Sequence, residues 1–191
     1  MSHPSAPHTL RRFFDRVVHR SFGDLAFGDD PAADYLADLL TRFARTENLY
    51  PAGALPDLRP GARGERLESV AEVLLDIQRA WDLDSPHFNP VRERELRRHI
   101  GDYTLFMTGL FRERVERMSV TDFYIREGQR SYRFVSEHDR ADARPEARLF
   151  RALADRFEGY ASALHYMRKV YFRPEHGPPN LPFFRRLVTE W

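Results

Sequence analysis

Leu96-Arg97-Arg98-His99-Ile100-Gly101-Asp102-Tyr103-Thr104-Leu105-Phe106-Met107-Thr108-Gly109-Leu110 carries the pattern that decides the fold. Leu96, His99, Tyr103, Phe106 and Leu110 recur at steps of 3, 4, 3 and 4, one face of an α-helix, and Ile100 and Met107 widen that face. Asn89-Pro90 opens the segment, as expected of a cap followed by a proline in the first turn. Gly101, Thr104 and Thr108 share a second face, where small side chains allow a neighbouring backbone to come close.

The same spacing extends outward in both directions. Leu10, Phe14, Val17 and Val18 predict a first helix ending near Gly23, and Asp30-Pro31 starts a second with Leu36, Leu39, Leu40 and Phe43 on one side. Leu67, Val70, Leu74, Ile77 and Trp81 predict a third from about Glu65 to Asp82. Beyond the central stretch, Ile125, Gly128, Tyr132 and Val135 place a fifth from about Thr121 to His138. Arg144-Pro145 opens a sixth, the longest, through Phe150, Leu153, Phe157, Tyr160, Leu164, Met167 and Tyr171. Nowhere does the period-two alternation of a sheet appear. Alternating 3 and 4 steps suit nearly aligned helix packing. The expectation is therefore one all-α domain over 1–191, an antiparallel bundle of five to seven helices. Residues 1–8 are polar and expected to be disordered. Residues 47–64 form a long Pro/Gly-rich loop, and 174–191 form a Pro-rich hinge followed by an amphipathic segment.

Composition narrows the function classes. The 191 residues hold 30 Lys+Arg and 29 Asp+Glu, and Lys169 is the one lysine, so 29 of the 30 bases are arginine. A net charge of +1 does not suit a histone-like binder of polyanions. Absence of cysteine excludes disulfides, thiolate catalysis and cysteine-ligated metal centres. No apolar run reaches the roughly 18 residues of a membrane span. No hydrophobic segment follows Arg11-Arg12 to make an export signal, so the expected compartment is the cytoplasm. The arginine-, alanine- and proline-rich usage points to a bacterial origin.

Glu93, Glu95, Arg97, Arg98, Arg112, Glu113, Arg114, Glu116 and Arg117 alternate in sign and read as a solvated helix face, with Glu93–Arg97 and Glu113–Arg117 in favourable i,i+4 order. The competing reading, nucleic-acid binding through Arg92, Arg94, Arg97, Arg98 and Arg112, is weakened by the interleaved acids. Arg126, Arg130 and Arg133 on the aromatic fifth helix are the arginines expected to be partly buried. His99, Asp102, Tyr103, Tyr124, Glu127, Arg130 and Tyr132 mix polar and aromatic character near one region. They are the candidate polar pocket, against the plainer alternative of hydrogen-bonded core residues.

Asp29-Asp30 with Asp34 resembles the aspartate-rich Mg²⁺ motif of isoprenoid synthases, but no second motif accompanies it, and Asp30 is better read as a helix cap. Di-iron bundles need Glu-x-x-His, and no histidine here has glutamate three residues before it. His138-Asp139 resembles the signature of the HD-type metal phosphohydrolases. That resemblance implies metal ligation by His99, His138, Asp139 and Asp155. Asp139 is followed by a helix end and loop, Arg140 to Pro145, where that family continues with apolar residues. The stretch Gly101 to Phe111, with Asp122-Phe123-Tyr124, Gly128, Tyr132 and Leu149 to Phe157, resembles an uncharacterised family of bacterial all-helical proteins with no assigned activity. No catalytic set and no cofactor follow from these residues. The leading expectation is a non-enzymatic interaction or regulatory module that forms homo-oligomers or binds another protein. The tail residues Phe183, Phe184, Leu187, Val188 and Trp191 are then a partner-binding helix. The alternatives are the phosphohydrolase and a weak nucleic-acid binder.

Overall fold

The computed structural model describes residues 6–44 and 90–172. Among them are seven helices and no strand: α1 (Ala6–Asp24), α2 (Asp30–Ala44), α3 (Pro90–Leu110), α4 (Arg112–Arg117), α5 (Thr121–Ala141), α6 (Ala147–Asp155) and α7 (Phe157–Tyr171). The fold is all-α. The expected long loop, the helix at Glu65 to Asp82 and the C-terminal segment lie outside the described residues. Helix α1 begins at Ala6, inside the stretch expected to be disordered.

Asp29, not Asp30, caps α2. Its backbone carbonyl accepts from the amide of Ala33 at 3.0 Å and its carboxylate from that of Ala32 at 3.2 Å, which leaves Asp30 and Pro31 inside the first turn. Helices α1 and α2 then fold back on each other, with Phe14, Val18, Leu36 and Leu40 buried. Helix α3 is central. It packs on α5 along one side and on α7 along another. A Cβ at Gly101 would lie 2.7 Å from the Tyr132 ring, and one at Gly128 would lie 2.4 Å from Phe157 and 2.6 Å from Thr104 Oγ1. These two hydrogens in place of side chains let α3, α5 and α7 approach closely, with Gly101 facing Tyr132 and Thr104 facing Gly128, so α3 and α5 run in opposite directions. The small face of the central stretch does what its composition suggests.

The long helix expected from Arg144 onward is two helices. Arg156, at φ −115° and ψ 22°, breaks it between α6 and α7. The 3,4 pattern runs through this point without a proline or glycine to announce it. The break occurs where Phe157 enters the crevice beside Gly128 and where the Arg156 guanidinium lies over the Phe27 ring at 4.9 Å.

Helices α1, α4 and α5 end alike. Ala26, Ser119 and Ala143 take left-handed φ values of 55°, 56° and 54°. In each, the next amide reaches back five residues: Phe27 to Phe22 at 2.8 Å, Val120 to Val115 at 3.3 Å and Arg144 to Asp139 at 2.8 Å. These are Schellman terminations with non-glycine residues in the position that favours glycine. Apolar contacts between the residues flanking the turn fix the first, where the rings of Phe22 and Phe27 lie 5.4 Å apart.

Candidate functional site

Arg94, Arg98 and Asp102 stand one turn apart on α3 and face α2, α5 and α6. Asp102 is buried, and its carboxylate gathers donors from two neighbouring helices, α2 and α5. Oδ1 accepts from the Tyr35 hydroxyl at 2.5 Å and the Tyr132 hydroxyl at 2.9 Å, and Oδ2 accepts from Arg42 at 3.0 Å. Arg98 Nε donates to the Tyr35 oxygen at 3.2 Å and lies 3.9 Å from Asp102 Oδ2. A turn earlier, Arg94 clamps Asp139 through two bonds of 2.5 and 2.7 Å, with the Asp139 side chain fully enclosed. Arg144 approaches the same carboxylate at 3.9 Å.

An aromatic floor supports the charges. The guanidinium carbons of Arg94 and Arg98 both stand 5.8 Å from the centre of Phe150. Tyr35 meets Phe150 edge-on at 5.5 Å, and Tyr132 lies 5.9 Å from it. Arginine over an aromatic face gains cation–π attraction that grows as water is excluded. Four side chains from three helices therefore converge on Phe150 of a fourth.

Electrostatics fix the protonation of these groups. Burial pushes the Tyr35 and Tyr132 hydroxyls well above the usual tyrosine range, and the neighbouring Asp102 charge pushes in the same direction. Both stay protonated and donate. Burial works against the charge on Arg42 and Arg98, but Asp102 and Tyr35 outweigh it and hold both cations firmly. The result is a closed set of donors around an acceptor-only carboxylate, chemically suited to positioning rather than to proton transfer.

The candidate pocket residues divide between two flanks of α3. Asp102 and Tyr132 belong to the network. His99 stacks between Phe43, at 6.3 Å, and Tyr103, at 6.5 Å, and Tyr103 continues to Tyr124 at 6.2 Å. Burial lowers the His99 pKa; Asp102 opposes this and Arg42 adds to it. Glu127 and Ser131 lie along α5, and Glu127 Oε2 and Ser131 Oγ are enclosed by protein with no hydrogen-bond partner among the described residues. Arg130 points to solvent.

The residues implied by the phosphohydrolase resemblance lie in different settings. Asp139 is held by Arg94. His138 Nδ1 is 4.0 Å from Asp139 and 3.6 Å from Asp142. Asp155 pairs at the surface with Arg151 at 2.7 Å and Arg133 at 3.8 Å. His99 sits among aromatic rings. The tail residues Phe183, Phe184, Leu187, Val188 and Trp191 lie outside the described residues.

The arginines reverse the expected pattern. Arg126, Arg130 and Arg133 are exposed, whereas Arg97, expected on a solvated face, is buried, and Arg94, offered only for nucleic acid, is largely enclosed. Glu93 and Arg97 do pair, at 3.4 Å, but as buried partners, with Arg97 over Phe134. Glu113 does not pair with Arg117, which donates instead to the Glu113 backbone carbonyl; the Glu113 carboxylate binds Arg168 at 2.6 Å. Of the five arginines offered for nucleic acid, Arg94, Arg97 and Arg98 are turned inward onto protein groups. Tyr35, Arg42 and Phe150, central to the network, were missed from sequence. The available signal was Tyr35 and Arg42 seven residues apart on one face of α2, beside its apolar stripe.

A shallow cleft of about 60 Å³ lies elsewhere, between Thr108, Val115, Ile125 and Ala161, with Arg112 and Glu158 at its rim. No described helix is long and apolar enough to cross a membrane. Compared with protein-family models, curated proteins and solved structures, the chain matches none.

Proposed function

We propose that this chain is a non-enzymatic helical module that works by binding protein, either a second copy of itself or another partner, on a scaffold made rigid by the Asp102 and Asp139 networks. One observation carries the reading: Asp139, the acid that a phosphohydrolase of this type would offer to metal, is enclosed and clamped by both arms of the Arg94 guanidinium fork. Freeing it would strand a largely enclosed arginine, which is unfavourable. The amphipathic tail pattern of Phe184, Leu187 and Trp191 supplies the contact surface in this reading, as a helix laid in a groove.

Light scattering on the full chain tests it, together with a variant carrying Phe184→Glu and Leu187→Glu. The expected result is a dimer or larger species for the wild type and a monomer for the variant. If both are monomeric, and neither captures a protein ligand lost on mutation, the reading fails. A Mn²⁺-dependent phosphoester hydrolysis that is present in the wild type and abolished by His138→Gln would replace it with the phosphohydrolase.

A further inference from the structure

Helices α1 and α2 bring together three metal-ligating side chains that the network does not use. Asp15 and His19 are one turn apart on α1 and so share a face, and Asp34 comes from the second turn of α2. His19 Nε2 lies 2.9 Å from Asp34 Oδ1 and 3.9 Å from Asp15 Oδ1. One donor atom from each of the three falls within 4.8 Å of the other two.

We infer that Asp15, His19 and Asp34 form a divalent transition-metal site, best matched to Zn²⁺, that cross-links α1 to α2. A tetrahedral zinc ion with ligand bonds of about 2.0–2.1 Å sets its donor atoms about 3.3 Å apart. The two spacings from the histidine bracket that value, and the third side of the triangle is no longer than 4.8 Å. The imidazole nitrogen is what a metal ion would use. Nε2 carries at most one proton and so satisfies one carboxylate, whereas two approach it here. A metal ion takes the nitrogen lone pair and both carboxylates at once.

The surroundings fit. Arg11, one turn before Asp15, donates to Asp15 at 3.1 Å, lies 3.3 Å from Asp38 and donates to the Asp34 backbone carbonyl at 3.3 Å. It thereby orients one ligand and the backbone of another, the role that outer partners play around metal ligands. With the imidazole neutral, Asp15, Asp34 and Asp38 against Arg11 leave two formal negative charges, which attract a dication. The ligands are half-exposed to exposed, so an ion can enter from solvent. Two carboxylates and one histidine leave a fourth position open to water or to a partner's side chain.

The test is a Zn²⁺ titration of the full, untagged chain followed by calorimetry. One equivalent is expected to bind, with a rise in melting temperature. His19→Gln and Asp34→Asn should each weaken that equivalent by roughly tenfold or more and remove the thermal shift. His165→Gln, at a half-buried histidine on α7, should leave both unchanged. Asp15→Asn serves as a further ligand variant if either substitution perturbs folding by far-ultraviolet dichroism. Absence of zinc binding by the wild type overturns the inference, and so does binding that survives all three ligand substitutions. The hydrolysis assay above reads His138 and not this site, so the two readings fail separately.

Discussion

Replacing Asp102 with asparagine and with alanine separates the two things its carboxylate does. In Asp102→Asn the amide oxygen can still accept from Tyr35 and Tyr132, which share Oδ1 at 2.5 and 2.9 Å. The amide nitrogen then replaces Oδ2 and faces Arg42, at 3.0 Å, donor against donor. The charged bond is lost and two cations keep no buried counter-ion. A hydrogen bond to a charged group is worth about 1.5–3 kcal/mol. Arg42 is 37% exposed, so water recovers part of that. The expected cost is about 2 kcal/mol. Asp102→Ala also strands two hydroxyls, at about 1 kcal/mol each, for a total of about 4 kcal/mol, in line with breaking a buried pair. Tyr132→Phe, which removes a single bond, should cost about 1 kcal/mol. Urea unfolding monitored by circular dichroism measures all three. With a slope of about 2 kcal/mol/M, the midpoint should fall by about 1 M for asparagine and about 2 M for alanine. The reasoning is refuted if asparagine costs under about 0.5 kcal/mol, or if alanine is no worse than asparagine.

Gly128→Ala should destabilise despite a helix-propensity gain of about 1 kcal/mol, because its Cβ would sit 2.4 Å from Phe157; a melting temperature at or above wild type would contradict the close packing. Ala26→Gly should stabilise by about 0.5–1 kcal/mol, since glycine takes the left-handed φ of 55° without steric cost, and thermal melting reads the gain directly. Burial lowers the His99 pKa from 6.5, so below that value the unfolded chain binds a proton that the folded chain refuses. Stability should therefore fall as pH drops from about 7 through 6.5, with a slope of at most about 1.4 kcal/mol per pH unit from this residue, and flatten below the lowered folded value. Because burial also lowers His165, the comparison is His99→Gln against wild type in a His165→Gln background, where the difference in slope isolates His99.

Helix positions were legible because each helix writes its own buried stripe into local sequence. Phe14, Leu36, Phe106, Val135 and Leu164 follow that rule, and all are buried. Gly101 and Thr104 were legible for the same reason: small residues clustered on one face have few other uses. The Asp102 network was not, because its members are bonded across 67, 60 and 30 residues of chain. Local charge spacing offers Glu93–Arg97 and Glu113–Arg117, and the helix alone cannot say which face meets another helix. The first pair proved buried and the second yielded to Arg168. The break at Arg156 left no local mark either, since the apolar spacing is the same on both sides of it. Asp102 and Tyr132 were identified as pocket residues, but the α2 donors to Asp102 could be found only once α2 was laid against α3.

The arginine-rich composition now has a more specific meaning at a few positions. Solvent-facing pairs such as Arg112–Glu116 and Arg151–Asp155 would serve nearly as well with lysine, because exposed ion pairs contribute little. Arg94 would not. Its Nε and terminal nitrogen bind the two oxygens of Asp139 as a fork, while its plane lies over Phe150. A lysine ammonium reaches one oxygen as a point charge and forfeits the planar contact. Arg98 likewise combines a directed bond to Tyr35 with a face on Phe150. Charge balance thus distributes most arginines over the surface, but planarity and the fork place Arg94 and Arg98 inside. There they hold α2, α3, α5 and α6 in one register, the fixed geometry that a protein-binding surface on this scaffold would need.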